Sequence, residues 1–465
     1  MSTASSTVSS AQANVRAFYT LIATQVVSQI GSRMSALALS IWLFSQTGDV
    51  TPLALTALFQ FLPQVIGASM AGVIADRYDR RLVMVAADAG QALGTLFLLL
   101  VVATGTFEVW HLYVVSFVQS LFGMFQSPAF TASVTTMIPD GQRDRANAIM
   151  QLIGPLAGVI APAIAGSLYA LVGLTGVIAI DLGTFLIAVI VVLMMRIPRP
   201  ERSAEGKAAE GSVIREALAG FAYLWKMRPM FWMTLHISLV NFLFSGAMVM
   251  ATPYLLGRTG SEATLGLLLG VLNVGAIVGG VAMGAIGGKF VGRRVPLMLG
   301  GIIFAAFALV FVGLGQAAVV LGAALFMLML PIPMINAAAM SLLQVKTPPD
   351  LQGRVFAALG QLATVLIPVS YLISGPLADN VFEPAVGTPA WEAFAPFLGN
   401  TSGSGMALIM VIAGVILIVS TAAALSVRSI REMERNIPDY QAPEAVSDAP
   451  ESPVETGTMG AVAAV

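Results

Sequence analysis

Long apolar runs follow one another from residue 17 to residue 427, and most of them carry no charge in their middle. About 20 such residues cross a bilayer once as a helix, because with no water at hand every backbone N–H and C=O has to be satisfied inside the segment. The runs sit at about 17–44, 52–75, 82–104, 110–138, 147–172, 175–196, 230–256, 264–287, 295–314, 317–344, 355–380 and 405–427, which makes twelve. Only 10% of the chain is charged, against about 25% in a soluble domain, so these runs cannot be the core of a water-facing globule. The first run is too long for the core of a cleaved leader and reads as a retained helix.

The same composition narrows the chemistry. There is no Cys and only two His, so disulfides, thiolate nucleophiles and Cys- or His-built metal centres are not expected. A net charge of −1 offers no field for nucleic acid. The scattered Asp residues form no catalytic constellation, and no phosphate-binding Gly-x-x-x-x-Gly-Lys-Ser/Thr loop occurs. The chain is expected to be no enzyme and to need no cofactor or metal; ATP-driven transport has no engine in it.

Basic residues set the orientation. With the N-terminus inside, 21 of the 23 Lys and Arg fall in inside segments, leaving Arg258 outside and Arg33 within the first span. A wrong span count would scramble this alternation. The expected organisation is an N-terminal tail (1–14), a six-helix bundle (15–197), an inside linker (198–228), a second six-helix bundle (229–430) and a disordered inside tail (431–465). Within the linker, Val213, Ala217, Phe221 and Leu224 share one helical face, as in a segment lying at the membrane surface or in a plain linker helix. The bundles echo one another: an offset of 209 carries Pro139 to Pro348, Arg145 to Arg354 and Gly166 to Gly375. Two pseudo-symmetric bundles entered from the same side form a parallel repeat, which places a transport site between them near mid-membrane.

Between the second and third spans the chain reads Gly72-Val-Ile-Ala-Asp76-Arg77-Tyr78-Asp79-Arg80-Arg81. Gly72 permits close helix approach, Asp76 is an anion at a helix end, and Arg80 and Arg81 suit anionic headgroups. This resembles the signature loop of the major facilitator superfamily, with Asp79 where that family usually has Gly. Gln29-Ile-Gly31-Ser32, Phe125-Gln126-Ser-Pro128-Ala129 and Gln352-Gly353-Arg354-Val355-Phe356 look like the twelve-span drug-exporter branch that includes macrolide-efflux proteins and the enterobactin exporter. The resemblance implies an all-α fold of 12 membrane helices in two bundles, alternating access, and an inner gate formed by Gly72, Asp76, Arg77, Arg80 and Arg81. Gln119 stands in the fourth span where many proton-coupled relatives carry Arg.

A charge in mid-membrane costs at least ~2.5–3.5 kcal/mol on insertion scales, so each one needs a reason. Arg33 follows Gln25, Gln29 and Ser32 on the first helix and reads either as a cavity cation or as a residue snorkelling outward. Asp88 and Asp181 are candidate proton carriers or helix staples. His236 titrates in the physiological range or is a hydrogen-bonded structural group. The resemblance places the first, fourth, seventh and tenth helices around the cavity, which adds Gln119, Gln126, Asn241, Phe244, Met248, Asn336 and, on a flanking helix, Gln361. Such a lining suits an amphipathic organic molecule.

These readings combine into a secondary transporter, proton-coupled and exporting drug-, macrolide- or siderophore-like compounds. Its expected partners are membrane lipids, protons and an amphipathic substrate, with no nucleic acid. It is expected as a monomer in a bacterial plasma membrane with both termini inside. A lysophospholipid flippase and a non-transporting membrane sensor are the alternatives.

Overall fold

The computed structural model describes residues 2–138, 143–195, 222 and 225–440. In the first half the helices are α1 (Ser2–Thr47), α2 (Thr51–Arg77), α3 (Arg80–Ala103), α4 (Val109–Met137) and α5 (Arg143–Met194). The second half has α6 (Arg228–Val249), α7 (Ala251–Thr259), α8 (Glu262–Ile286), α9 (Arg294–Leu314), α10 (Ala318–Met329), α11 (Ile332–Lys346), α12 (Pro349–Thr364), α13 (Ile367–Leu377) and α14 (Ser404–Ser426).

Nine helices among the described residues are long and apolar enough to cross a membrane. One of them, Ile153–Met194, has 42 residues and reverses at Gly173, whose φ of 68° is open to glycine at little cost. Ile153 and Val192 accordingly lie in one buried cluster, so this segment makes two passes. The helices α2 and α4, with 27 and 29 residues, reach about 40 Å at 1.5 Å per residue. With them the passes among the described residues come to twelve. Elsewhere proline breaks spans without ending them: α10 and α11 join at Pro331 and Pro333, and α12 and α13 join just before Pro368.

The ends poor in basic residues are called outer. There one buried cluster joins both halves, with Met34, Val50, Leu53 and Ala161 from the first packed with Met250, Tyr254, Leu265 and Leu268 from the second. At the inner ends the clusters are separate. Phe18, Met84, Ala146 and Val192 belong to one, Met230, Val295, Leu342 and Ile430 to another. The halves therefore close at the outer face and part at the inner face, among the described residues.

Three expectations on organisation meet the structure. The amphipathic stretch of the linker lies outside the described residues, apart from position 222. The helix of the first span runs back to Ser2, through the segment expected as a tail. The segment expected to be disordered from 431 is instead docked as far as 440. Met433 is 1% exposed, and Glu434 accepts from the Arg294 backbone at 2.7 Å and pairs with its guanidinium at 3.3 Å. Buried Lys346 donates to the carbonyls of Glu434 and Ile437 and to Asp439. A buried ammonium needs such acceptors, and they are supplied by ten residues that composition alone marked as a tail.

Candidate functional site

A cavity of about 910 Å³ lies between the halves. Its wall is built from polar residues recurring every three or four positions, which places them on one face of each helix. From α1 come Gln25, Ser28, Gln29, Ser32 and Ser35; from α2, Thr56, Gln60 and Gln64; from α4, Ser116, Gln119, Ser120 and Gln126. The second half contributes Met248, Val249 and Thr252.

Side-chain amides connect this wall. The Gln126 amide nitrogen donates to Gln25 Oε1 at 3.0 Å and, in a short contact, to Asp88. Its oxygen accepts from Gln91 at 3.0 Å. Gln25 also reaches Asp88 at 3.5 Å. Gln119 donates to Thr95 at 3.0 Å and to the Gln91 carbonyl at 3.2 Å, tying α4 to α3. Asp88 is 0% exposed and sits directly behind the wall. Asp181, 3% exposed, lies on the wall itself and accepts from Ser32 at 3.3 Å. No ion pair reaches either carboxyl among the described residues. A carboxyl held only by amides and hydroxyls is well placed to exchange a proton, since no fixed cation holds it as the anion.

Of the residues singled out from sequence, Gln25, Gln29, Gln119, Gln126, Met248 and Asp181 are on the wall and Asp88 is behind it. Arg33 is not. A Cβ on Gly158 of α5 would lie 3.3 Å from its Nη1 and would strike the Asn273 amide oxygen, so Arg33 is at the junction of α1, α5 and α8. One residue is 100° on a helix; with Ser32 aimed inward, Arg33 turns off the stripe. His236 faces Thr421 of α14 at 3.2 Å. Asn241 donates to the Ala363 carbonyl at 2.9 Å, binding α6 to α12. Phe244 packs on the cluster that joins the halves. Asn336 and Gln361 are exposed and off the wall.

In the signature loop, the side chains of Asp76 and Arg77 and the surroundings of Gly72 lie outside what the structure describes. Asp79 caps α3 by accepting from Arg81 N at 3.0 Å. The Arg81 side chain donates to the Val192 carbonyl at 3.2 Å, fastening the start of α3 to the end of the sixth pass. Half-buried Arg80 lies beside it. Gln60, Gln64 and Gln91 were not among the sequence candidates. The available signal was the four-residue spacing of Thr56, Gln60 and Gln64 in an otherwise apolar helix.

The family model for the Major Facilitator Superfamily matches residues 21–370. Macrolide efflux protein A of Streptococcus pyogenes is 27% identical over 367 residues, covering 78% of this chain and 90% of that protein. The multidrug efflux pump Tap of Mycolicibacterium fortuitum is 22% identical, covering 73% of this chain and 83% of the pump. Among solved structures, an inward-facing, unoccupied bacterial homologue of the human lysosomal transporter Spinster superposes with a TM-score of 0.70 at 16% identity. That match covers 91% of this chain and 97% of the other, and it speaks to the fold alone.

Proposed function

The chain belongs to the Major Facilitator Superfamily, hence is a multi-pass secondary transporter of small molecules and no enzyme, and from that premise we propose that it exports amphipathic compounds in exchange for protons. The observation that carries the proposal is the pair of buried carboxyls, Asp181 on the cavity wall and Asp88 behind it, both without a cation partner among the described residues. The likeness to macrolide and multidrug efflux proteins supports this substrate class and this direction.

In this reading the cargo enters from the inner face and settles between the amide wall and the Met248–Val249 side. Glutamine amides both donate and accept, so molecules with differently placed hydroxyl and carbonyl groups find partners without a rigid template, while the apolar side takes the hydrocarbon. Release of protons inward and their reloading from outside drive the cycle. Gly72, Asp76, Arg77, Arg80 and Arg81 form the contacts that hold the inner face shut in the opposite state. The protein works as a monomer in a bacterial plasma membrane with both termini inside, in contact with membrane lipids.

Transport in proteoliposomes with an imposed pH difference tests this. A radiolabelled macrolide is expected to move against its gradient when protons flow the other way and to stop when a protonophore is added. Uptake indifferent to the pH gradient removes the coupling reading, and movement of lysophospholipid in place of the macrolide removes the cargo reading.

A further inference from the structure

The halves meet along two seams related by the internal repeat. At one, α5 of the first half crosses the start of α8 of the second; at the other, α13 of the second half crosses the start of α2 of the first. Gly166 and Gly375 mark equivalent points. A Cβ on Gly166 would strike the Glu262 carbonyl, and one on Gly375 would lie 2.6 Å from Thr51 Cα. At each seam, then, one half presses on the first turn of a helix from the other, where the leading N–H groups have no intrahelical acceptor.

The two helices meet that need differently. Ser261 caps α8, its Oγ accepting from Thr264 N at 3.3 Å, and Glu262 adds an anion to the first turn. The residue before α2 is Val50, whose side chain has no acceptor, and the first turn of α2 holds no acid. Its cap comes from the opposite half. Val50 N donates to Asp379 Oδ1 at 2.7 Å, Thr51 N to Oδ2 at 2.7 Å, and the Thr51 hydroxyl to Oδ2 at 2.6 Å. Asp379 stands in the π-helical turn Ala378–Phe382 that continues α13. The residue 209 positions earlier in the first half is Ala170, so the equivalent position at the other seam carries no such group.

We propose that Asp379 is an outer-gate residue of the transport cycle, a carboxylate that caps α2 only while the outer face is shut. When the halves part there, Asp379 leaves with the second half and three donors lose a charged acceptor in one step. The self-capped α8 keeps its cap through the same movement. The α2–Asp379 contact thereby sets how readily the outer face opens. The assignment stands on the family's alternating access and is independent of the cargo and of the coupling ion.

The chain contains no Cys, so a single Ser40→Cys on the cavity wall reports access without background. Cells carrying it are treated from outside with a membrane-impermeant maleimide, and inside-out vesicles report the inner face. Asp379→Asn is isosteric but loses the charge and one acceptor; it is expected to raise the outside labelling rate about tenfold, the scale of a hydrogen-bond set to an ionised group. Thr51→Val, which removes only the hydroxyl donor, is expected to give about a threefold rise. Ser261→Ala, at the other seam, is expected to stay at the parental rate. Retained labelling in inside-out vesicles shows that a variant is folded. Parental outside rates in both Asp379→Asn and Thr51→Val overturn the assignment, and so does an equal rise in Ser261→Ala.

Discussion

The two halves share a fold and divide the chemistry. The first lines the cavity with seven glutamines, several hydroxyls and Asp181, with Asp88 behind them; the second offers Met248, Val249 and Thr252. A repeat of six helices supplies the same backbone twice, but whether a helix face is polar depends only on which residues recur every three or four positions. On α1, α2 and α4 these are Gln, Ser and Thr; on α6 the facing residues are apolar. On the proposed reading, recognition by hydrogen bonds and proton exchange both reside in one half, while the other acts as an apolar wall and, through Asp379, as a closing element.

The sharpest way to break this division is to neutralise the carboxyls of the first half. Asp88→Asn and Asp181→Asn are each expected to lower pH-driven uphill transport about a hundredfold, as when a proton-transferring group is removed. Exchange of labelled for unlabelled cargo, which needs no net proton movement, is expected to persist. If uphill transport survives in the double variant, the first half is not the coupling half.

A smaller loss is expected from Gln126→Leu. It leaves Asp88 with Gln25 as its remaining side-chain donor and removes one of the two acceptors of the Gln91 amide. A hydrogen bond to an ionised group contributes about 1.5–3 kcal/mol, so uphill transport is expected to fall about tenfold, with its pH profile displaced and cargo affinity little changed. Initial rates across pH, set beside equilibrium binding, separate the two. A drop in affinity with an unmoved pH profile makes Gln126 a contact of the cargo alone.

The contrast can also be sharpened from the other side. Met248→Gln places an amide opposite the amide wall. The more oxygen-rich of two competing cargoes is expected to gain about fivefold over the more apolar one, a change of about 1 kcal/mol. Competition assays read this ratio directly, and an unaltered ratio denies the second half its part as the apolar wall.

The fold was legible because span length and the alternation of basic loops are set by the bilayer itself. Even the reversal at Gly173 was marked, since a 42-residue apolar segment exceeds one crossing. The site was legible in two ways. Gln25 and Gln29 were read as a stripe on α1, while Gln119, Gln126 and Met248 came from the helices that the family turns inward. Arg33 lies eight residues after Gln25, a spacing that groups it with the stripe, yet the 100° between it and Ser32 carries it off the wall. Asn336 and Gln361 were chosen from which helices the family turns inward, and their place depends on how far the halves have parted at the inner face, which no local pattern encodes. No local pattern marks Asp379, because its partners, Val50 and Thr51, are more than 300 residues away.

The mildest outcome is expected at His236, the second half's own titratable candidate. Its Nε2 lies 3.2 Å from the Thr421 hydroxyl, so it joins α6 to α14 inside one bundle and has no place on the cavity wall. Glutamine keeps a polar group near that hydroxyl and removes the proton exchange of the imidazole. His236→Gln is therefore expected to change pH-driven transport by less than about twofold and to lower the stability of the detergent-solubilised protein by about 1 kcal/mol, the net value of one hydrogen bond. Transport rates across pH and a thermal melt decide between the two roles. A melt unchanged from wild type, together with a loss of coupling comparable to that of Asp88→Asn, assigns proton handling to both halves and removes the division between them.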